Sequence, residues 1–326
     1  MTLRMVYGIS FFLGAMLIGW ALKRWRLLDD ARAERLVRFV ISGLAPWVLC
    51  FTLWQVDFSA GRLWLLPLLG LAGSVSTLLP AFLYARWAML NRPQTGSFLT
   101  CACFSNVGYM GAFTAFALFG EQAYGLCVLY FTFFSPAFYT LGFWLAHRYG
   151  MRPRPSTEAA ESGRGSPAAR QRGGTRPAFM DGIRLYPFIG LTVGLLLNVL
   201  RVPRPGPIGA LTHVLIPLDT FLYLVAVGSQ LSFESPVRLW RPSLAMCLIK
   251  FAWCPALAVL LVTAAGLTGL PRFIVLLEAS TPVAVSPLIF PLLFGLDRRM
   301  SNALWLSTTI VAVPYFFLII PLLQRL

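Results

Sequence analysis

Charge is what this chain is shortest of. Asp, Glu, Lys and Arg make up 12% of its 326 residues, whereas a soluble globular domain carries about 25%. A water-facing surface of ordinary composition is therefore excluded. Histidine is scarcer still: only His147 and His213 occur, too few for a histidine-based metal centre. The cysteines Cys50, Cys101, Cys103, Cys127, Cys247 and Cys254 include no CxxC pair and all fall in apolar stretches, where they read as small apolar fillers. No GxSxG, HExxH or Gly-x-Gly-Asp run is present, which leaves an intramembrane enzyme without its equipment. No cofactor, metal or catalytic residue is expected, and no polar segment is long enough for a receptor's signalling domain.

What the chain has in abundance is apolar length. It is 58% hydrophobic, and runs of about 20 apolar residues, enough to cross a hydrocarbon core of about 30 Å, recur throughout. Ten spans are expected, at 5–22, 36–54, 63–84, 98–118, 123–146, 186–200, 211–231, 244–265, 273–294 and 303–323. The net charge of +15 is set by topology. Twenty of the 27 Lys and Arg residues fall in the odd-numbered loops or, for Arg38, at the edge of one, and only Arg4, Arg62, Arg201, Arg204, Arg272 and Arg325 lie on the opposite face. The positive-inside rule places the odd loops in the cytoplasm and both termini outside, in the plasma (inner) membrane; no nucleic-acid partner is implied. "KRWR" at Lys23 to Arg26 follows the first apolar run instead of preceding it, so a retained helix is expected there and not a cleaved signal.

Residues 148–184, rich in Arg, Gly, Ser and Pro, read as a disordered cytoplasmic linker. Five spans precede it (1–147) and five follow (185–326). A shift of 175 residues superposes Pro67 on Pro242, Pro80 on Pro255, Gly19 on Gly194, Ser105 on Ser280, and "LFG" at Leu118 on "LFG" at Leu293. An odd number of spans per copy inverts the second copy in the membrane. Inverted repeats of this kind are an architecture of secondary transporters.

Under that shift "SNVGYMG" (Ser105 to Gly111) falls on "STPVAVS" (Ser280 to Ser286). Gly108 weakens one helix, and Pro282 and Pro287 interrupt the other. Both interruptions lie about ten residues, or ~15 Å, into a span. The candidate substrate site is therefore Ser105, Asn106, Val107, Gly108 and Tyr109 with Ser280, Thr281 and Pro282, served by the N-terminal ends of the second half-helices from about Gly108 and Val283. The structural alternative is a pair of packing kinks, with Ser and Thr bonded to their own helix. Glu278 is a candidate coupling or charge group, its alternative being a structural glutamate. Lys250 either snorkels to the cytoplasmic surface or turns inward as a countercharge. Asp219, in "PLDT", is less informative.

From these residues the chain resembles the auxin efflux carrier family, which includes plant PIN-type carriers and bacterial malonate and malate permeases. The resemblance rests on residues 7–49, "SNVGYMGAF" from Ser105, "PFIGLTVGLLLNVLRV" from Pro187, "LVAVGSQLS" from Leu224 and "EASTPVAVSPLIFPLLFGLD" from Glu278. It implies an all-α membrane protein of ten helices, a 5+5 inverted repeat with broken helices 4 and 9 crossing, similar to the NhaA fold. It further implies spans 1, 2, 6 and 7 as a scaffold, the other six as a moving domain, and a homodimer through the scaffold. The site would take a small organic anion, with Tyr139 as an aromatic lining it. The expected function is a permease or efflux carrier of carboxylates by elevator-type alternating access, with a proton or sodium ion as possible coupling partner. The alternative is a sodium-coupled symporter of the bile-acid type, which should be dense in carboxylates and amides around both crossings.

Overall fold

The computed structural model describes residues 2–58, 62–150, 186–230 and 239–323. Among these the fold is helical throughout, without strands apart from one isolated bridge. The helices are α1 (Thr2–Arg24), α2 (Asp30–Trp54), α3 (Leu63–Trp87), α4 (Arg92–Cys103), α5 (Val107–Phe119), α6 (Glu121–Tyr149), α7 (Tyr186–Val199), α8 (Gly206–Gly228), α9 (Trp240–Ala264), α10 (Gly269–Ala279), α11 (Phe290–Phe294) and α12 (Arg298–Leu323). Seven of them, α1, α2, α3, α6, α8, α9 and α12, are long and apolar enough to cross a membrane. Expected spans 4 and 9 are not among the seven because each is broken, into α4 with α5 and α10 with α11. Expected span 6 is the 14-residue α7, which begins at the first described residue of its stretch. The expected linker lies outside the described residues from 151 onward.

Small residues set the closest helix contacts. Gly19 on α1 admits the Val225 carbonyl of α8, and Gly228 on α8 admits the Met16 carbonyl of α1; a Cβ on either would overlap the opposing backbone. On α7, Gly190 and Gly194 likewise admit the carbonyls of Pro46 and Cys50 on α2. Such contacts are how helices associate when lipid supplies no hydrophobic drive. They join α1 to α8 and α7 to α2 as two backbone-close pairs. Asn198 strengthens the second pair. Its Nδ2 lies 2.8, 2.9 and 2.8 Å from the carbonyls of Leu53, Trp54 and Val56, which close the C-terminal end of α2. Asn198→Leu, by leaving those carbonyls short of a donor, is expected to cost about 1–3 kcal/mol. A lowered midpoint in thermal unfolding of the detergent-solubilised protein would register it, and an unchanged midpoint would show that other donors replace the amide.

The remaining helices enclose a core around α4, α5 and α10, the most deeply buried elements. Every residue from Thr95 to Cys103 and from Phe273 to Ala279 is buried. Phe104, Phe138, Phe143, Phe290 and Phe294 form an aromatic cluster against one side of it, with ring centroids 4.7 to 6.5 Å apart where they meet.

Candidate functional site

α4 stops at Cys103 although apolar sequence continues. Phe104 is extended (φ −112, ψ 116) and helix resumes at Val107 in a wide π turn, Val107–Gly111. α10 stops at Ala279, and the chain runs non-helical over 280–285 before a 3₁₀ turn at Ser286–Ile289 and the short α11. The two unwound segments meet. Ser105 and Val283 form an antiparallel bridge, in which the Asn106 amide donates to the Pro282 carbonyl at 2.7 Å and the Ala284 amide donates to the Phe104 carbonyl at 3.0 Å. Thr308 on α12 accepts from the Val283 amide at 3.2 Å. Backbone groups freed by a break inside an apolar core cost several kcal/mol each unless they are paired, and here each break supplies partners for the other.

Broken helices that re-pair across one point, inside a bundle of membrane-length helices, are the arrangement secondary transporters build their sites on. The model of the membrane transport protein family, which is auxin efflux carrier-like, matches residues 8–320. The chain belongs to that family. It is also similar to an uncharacterized transporter of Methanothermobacter thermautotrophicus, 24% identical over 313 residues that cover 94% of this chain and 95% of the relative. The protein is thus an integral, multi-pass membrane transporter.

In the transporter, Ser105, Asn106, Val107, Pro282 and Thr281 are brought together at the crossing, and Gly108 and Tyr109 follow within the first turn of α5. Asn106 is 7% exposed. Its backbone is fully used, the amide by Pro282 and the carbonyl by the Met110 and Gly111 amides. Its side-chain amide makes no hydrogen bond to the described residues. The space beside Gly108 is open, with nothing within 4 Å of where a Cβ would stand. Ser280 and Thr281 are fully buried, and their hydroxyls donate to the carbonyls of Leu276 and Glu278, each at 2.7 Å. Only their oxygen lone pairs remain for a ligand. The expected pair of helix N-termini is also altered. α5 supplies one, but the second half of span 9 is a 3₁₀ turn and a five-residue helix, because Pro287 and Pro291 remove the amides a longer helix would need.

Glu278 is fully buried at the end of α10, and its carboxyl packs on the Cα of Gly111. Neither oxygen has a hydrogen-bond partner, although the Cys127 thiol of α6 faces it. Lys250 reaches the crossing from α9. It is fully buried, and Nζ donates to the Ala102 carbonyl at 2.5 Å and to Ser105 Oγ at 2.8 Å. Lys250 does not snorkel to the surface; its ammonium rests on the end of α4. Tyr139 sits between Phe138 and Phe143 on the aromatic cluster. Tyr130, Phe131, Phe133, Phe134 and Ala137 of α6 line a narrow recess with Gly70, Leu71, Ser74 and Val107.

Several residues were not singled out from the sequence. Thr308 is one, and a lone threonine in an apolar span carried little signal. Tyr223 of α8 is another, stacked on Tyr109 of α5 with centroids 3.6 Å apart and planes within 7°. Asp219, also on α8, is 3% exposed, has Oδ1 without a partner, and faces Tyr109, Tyr124 and Tyr223. Buried acids inside a span default to a functional role, a signal that applied to Asp219 as much as to Glu278.

Proposed function

We propose that this transporter is a secondary carrier of small organic anions such as carboxylates, working by elevator-type alternating access. The observation that carries the reading is the antiparallel pairing of 104–106 with 282–284, which leaves the Asn106 amide and the first turn of α5 to meet an anion. An N-terminal helix end and a neutral amide are the chemistry a carboxylate needs.

The architecture proposed with it is an NhaA-like 5+5 inverted repeat, 1–147 and 185–326, joined by a cytoplasmic 148–184 linker and with both termini outside. Two things support it. The breaks fall at repeat-equivalent places, and the equivalent glycines Gly19 and Gly194 both sit at backbone-close contacts, one in α1 with α8 and the other in α7 with α2. Those four helices are the proposed scaffold, through which the protein would dimerise. α3 to α6 and α9 to α12 are the proposed moving part. The site residues proposed are Ser105 to Tyr109, Tyr139 and Ser280 to Pro282, with Glu278 and Lys250 as coupling or charge groups.

One observation favours cation coupling as a second reading: Glu278 presents two unpartnered oxygens beside the crossing, which could take a proton or, as in a bile-acid-type symporter, sodium. A flux screen of mono- and dicarboxylates in reconstituted liposomes tests both. Saturable carboxylate flux is expected; its dependence on a proton gradient, a sodium gradient or neither identifies the coupling. Absence of flux for every carboxylate, with the protein folded and inserted, would remove the anion reading.

A further inference from the structure

Lys250 occupies an unusual place for a lysine. It lies in a π turn, Ile249–Trp253, within α9. The inserted residue of a π turn rotates the helix locally, and such turns are common at functional positions. Pro255, four residues after Phe251, cannot donate to the Phe251 carbonyl; Tyr315 Oη donates to it instead, at 3.1 Å. Another helix therefore braces the segment that carries the lysine.

The ammonium points at the end of α4. The last four carbonyls of a helix lack intrahelical partners, and the helix dipole places about half a negative charge there. Nζ meets one of those carbonyls, Ala102 O, and the hydroxyl oxygen of Ser105 just past the helix end. No carboxylate among the described residues shares the site. None of the ion pairs among the described residues involves Lys250, and the groups facing it are the thiols of Cys101, Cys103 and Cys254. The other broken helix ends differently. On α10, Ser280 and Thr281 cap the carbonyls of Leu276, Leu277 and Glu278 with their own hydroxyls and amides. Among the described residues, only the first break draws on a cation from outside its own helix.

A carbonyl and a hydroxyl oxygen converging on one positive group, at the C-terminal end of a half-helix, is the chemistry that holds a small monovalent cation in transporters with discontinuous helices. We propose that the end of α4 is a monovalent-cation site whose resident cation is the Lys250 ammonium. It is tethered by its own side chain, and its role is to neutralise the broken helix where a dissolved ion would otherwise be required. Removing the side chain then opens a site that small alkylammonium ions fill.

The inference rests on the transport reading of the crossing only in its flux arm; its binding arm does not depend on what is carried. Lys250→Ala removes the length of a propylammonium. Thermal unfolding of the purified full-length variant is compared in propylammonium chloride and in N-methylglucamine chloride of equal ionic strength. Propylammonium is expected to raise the midpoint of Lys250→Ala and to leave the wild type unmoved. Lys250→Met, which fills the space without charge, is expected to be destabilised and to gain nothing. Lys250→Gln separates charge from hydrogen bonding: it should fall as far as the methionine variant if a cation is needed. Equal effects of the two salts on Lys250→Ala, or a glutamine variant as stable as the wild type, overturn the proposal. If Lys250→Ala does not fold, the glutamine and methionine variants still decide it. In liposomes, propylammonium is expected to restore flux to Lys250→Ala. Flux absent even from the wild type counts against the transport reading and leaves the unfolding result standing.

Discussion

Arg204→Ala is expected to destabilise the protein by about 3–5 kcal/mol, the range for removing one partner of a buried ion pair. Arg204, in the connection between α7 and α8, grips the carboxylate of Glu121 at the start of α6 with two hydrogen bonds of 2.6 and 3.0 Å, and also donates to the Phe51 carbonyl at 3.0 Å. The side chains are 13% and 7% exposed. A bidentate pair so enclosed is screened little by solvent. Truncating the arginine strands a buried carboxylate and an α2 carbonyl together. Removing both charges, in Glu121→Leu with Arg204→Leu, is expected to cost far less, because no unpaired charge remains. A double-mutant cycle by thermal or denaturant unfolding measures the coupling. A cost below about 1 kcal/mol for Arg204→Ala would place the pair with exposed surface bridges. The contact also joins α6, in the proposed moving part, to the loop leading into the proposed scaffold. Any elevator movement must break it, so the doubly neutral variant should carry substrate at least as fast as the wild type.

The second large effect is functional. Asn106→Ala is expected to reduce carboxylate flux by about 10- to 100-fold, the equivalent of a hydrogen bond to a charged group worth roughly 1.5–3 kcal/mol. Its fold should survive, because what holds the crossing is the Asn106 backbone amide, which the substitution leaves in place. Pro282→Ala is expected to abolish flux by another route. It returns an amide to the non-helical stretch 280–285 and lets α10 extend toward the crossing. Both variants should reach the membrane in normal amount and unfold within a few degrees of the wild type. Wild-type flux in both would detach the crossing from transport.

The breaks were legible in the sequence because their cause is local. Pro282 and Pro287 lack amides in any context, and "SNVG" is poor helix material in an apolar run. Where freed groups go was not legible. Ser280 and Thr281 read equally as ligand groups or as kinks bonded to their own helix, and only the structure shows that their protons close the end of α10. The place of Tyr139 at the site rests on the resemblance, because α6 carries so many aromatics that which of them face the crossing depends on its turn geometry.

By itself the amino-acid order determined that this is a membrane protein, where its apolar stretches run, and which two of them cannot be continuous helices. These follow from composition and from backbone chemistry that no fold can change. Tertiary structure alone decided that Lys250 would neutralise α4, 148 positions away along the chain, that Arg204 would hold Glu121, and that Thr308 would serve the Val283 amide. One residue of rotation turns a side chain by about 100° around its helix. The facing of each buried polar group therefore depends on π turns, glycine contacts and packing that no short stretch of sequence contains.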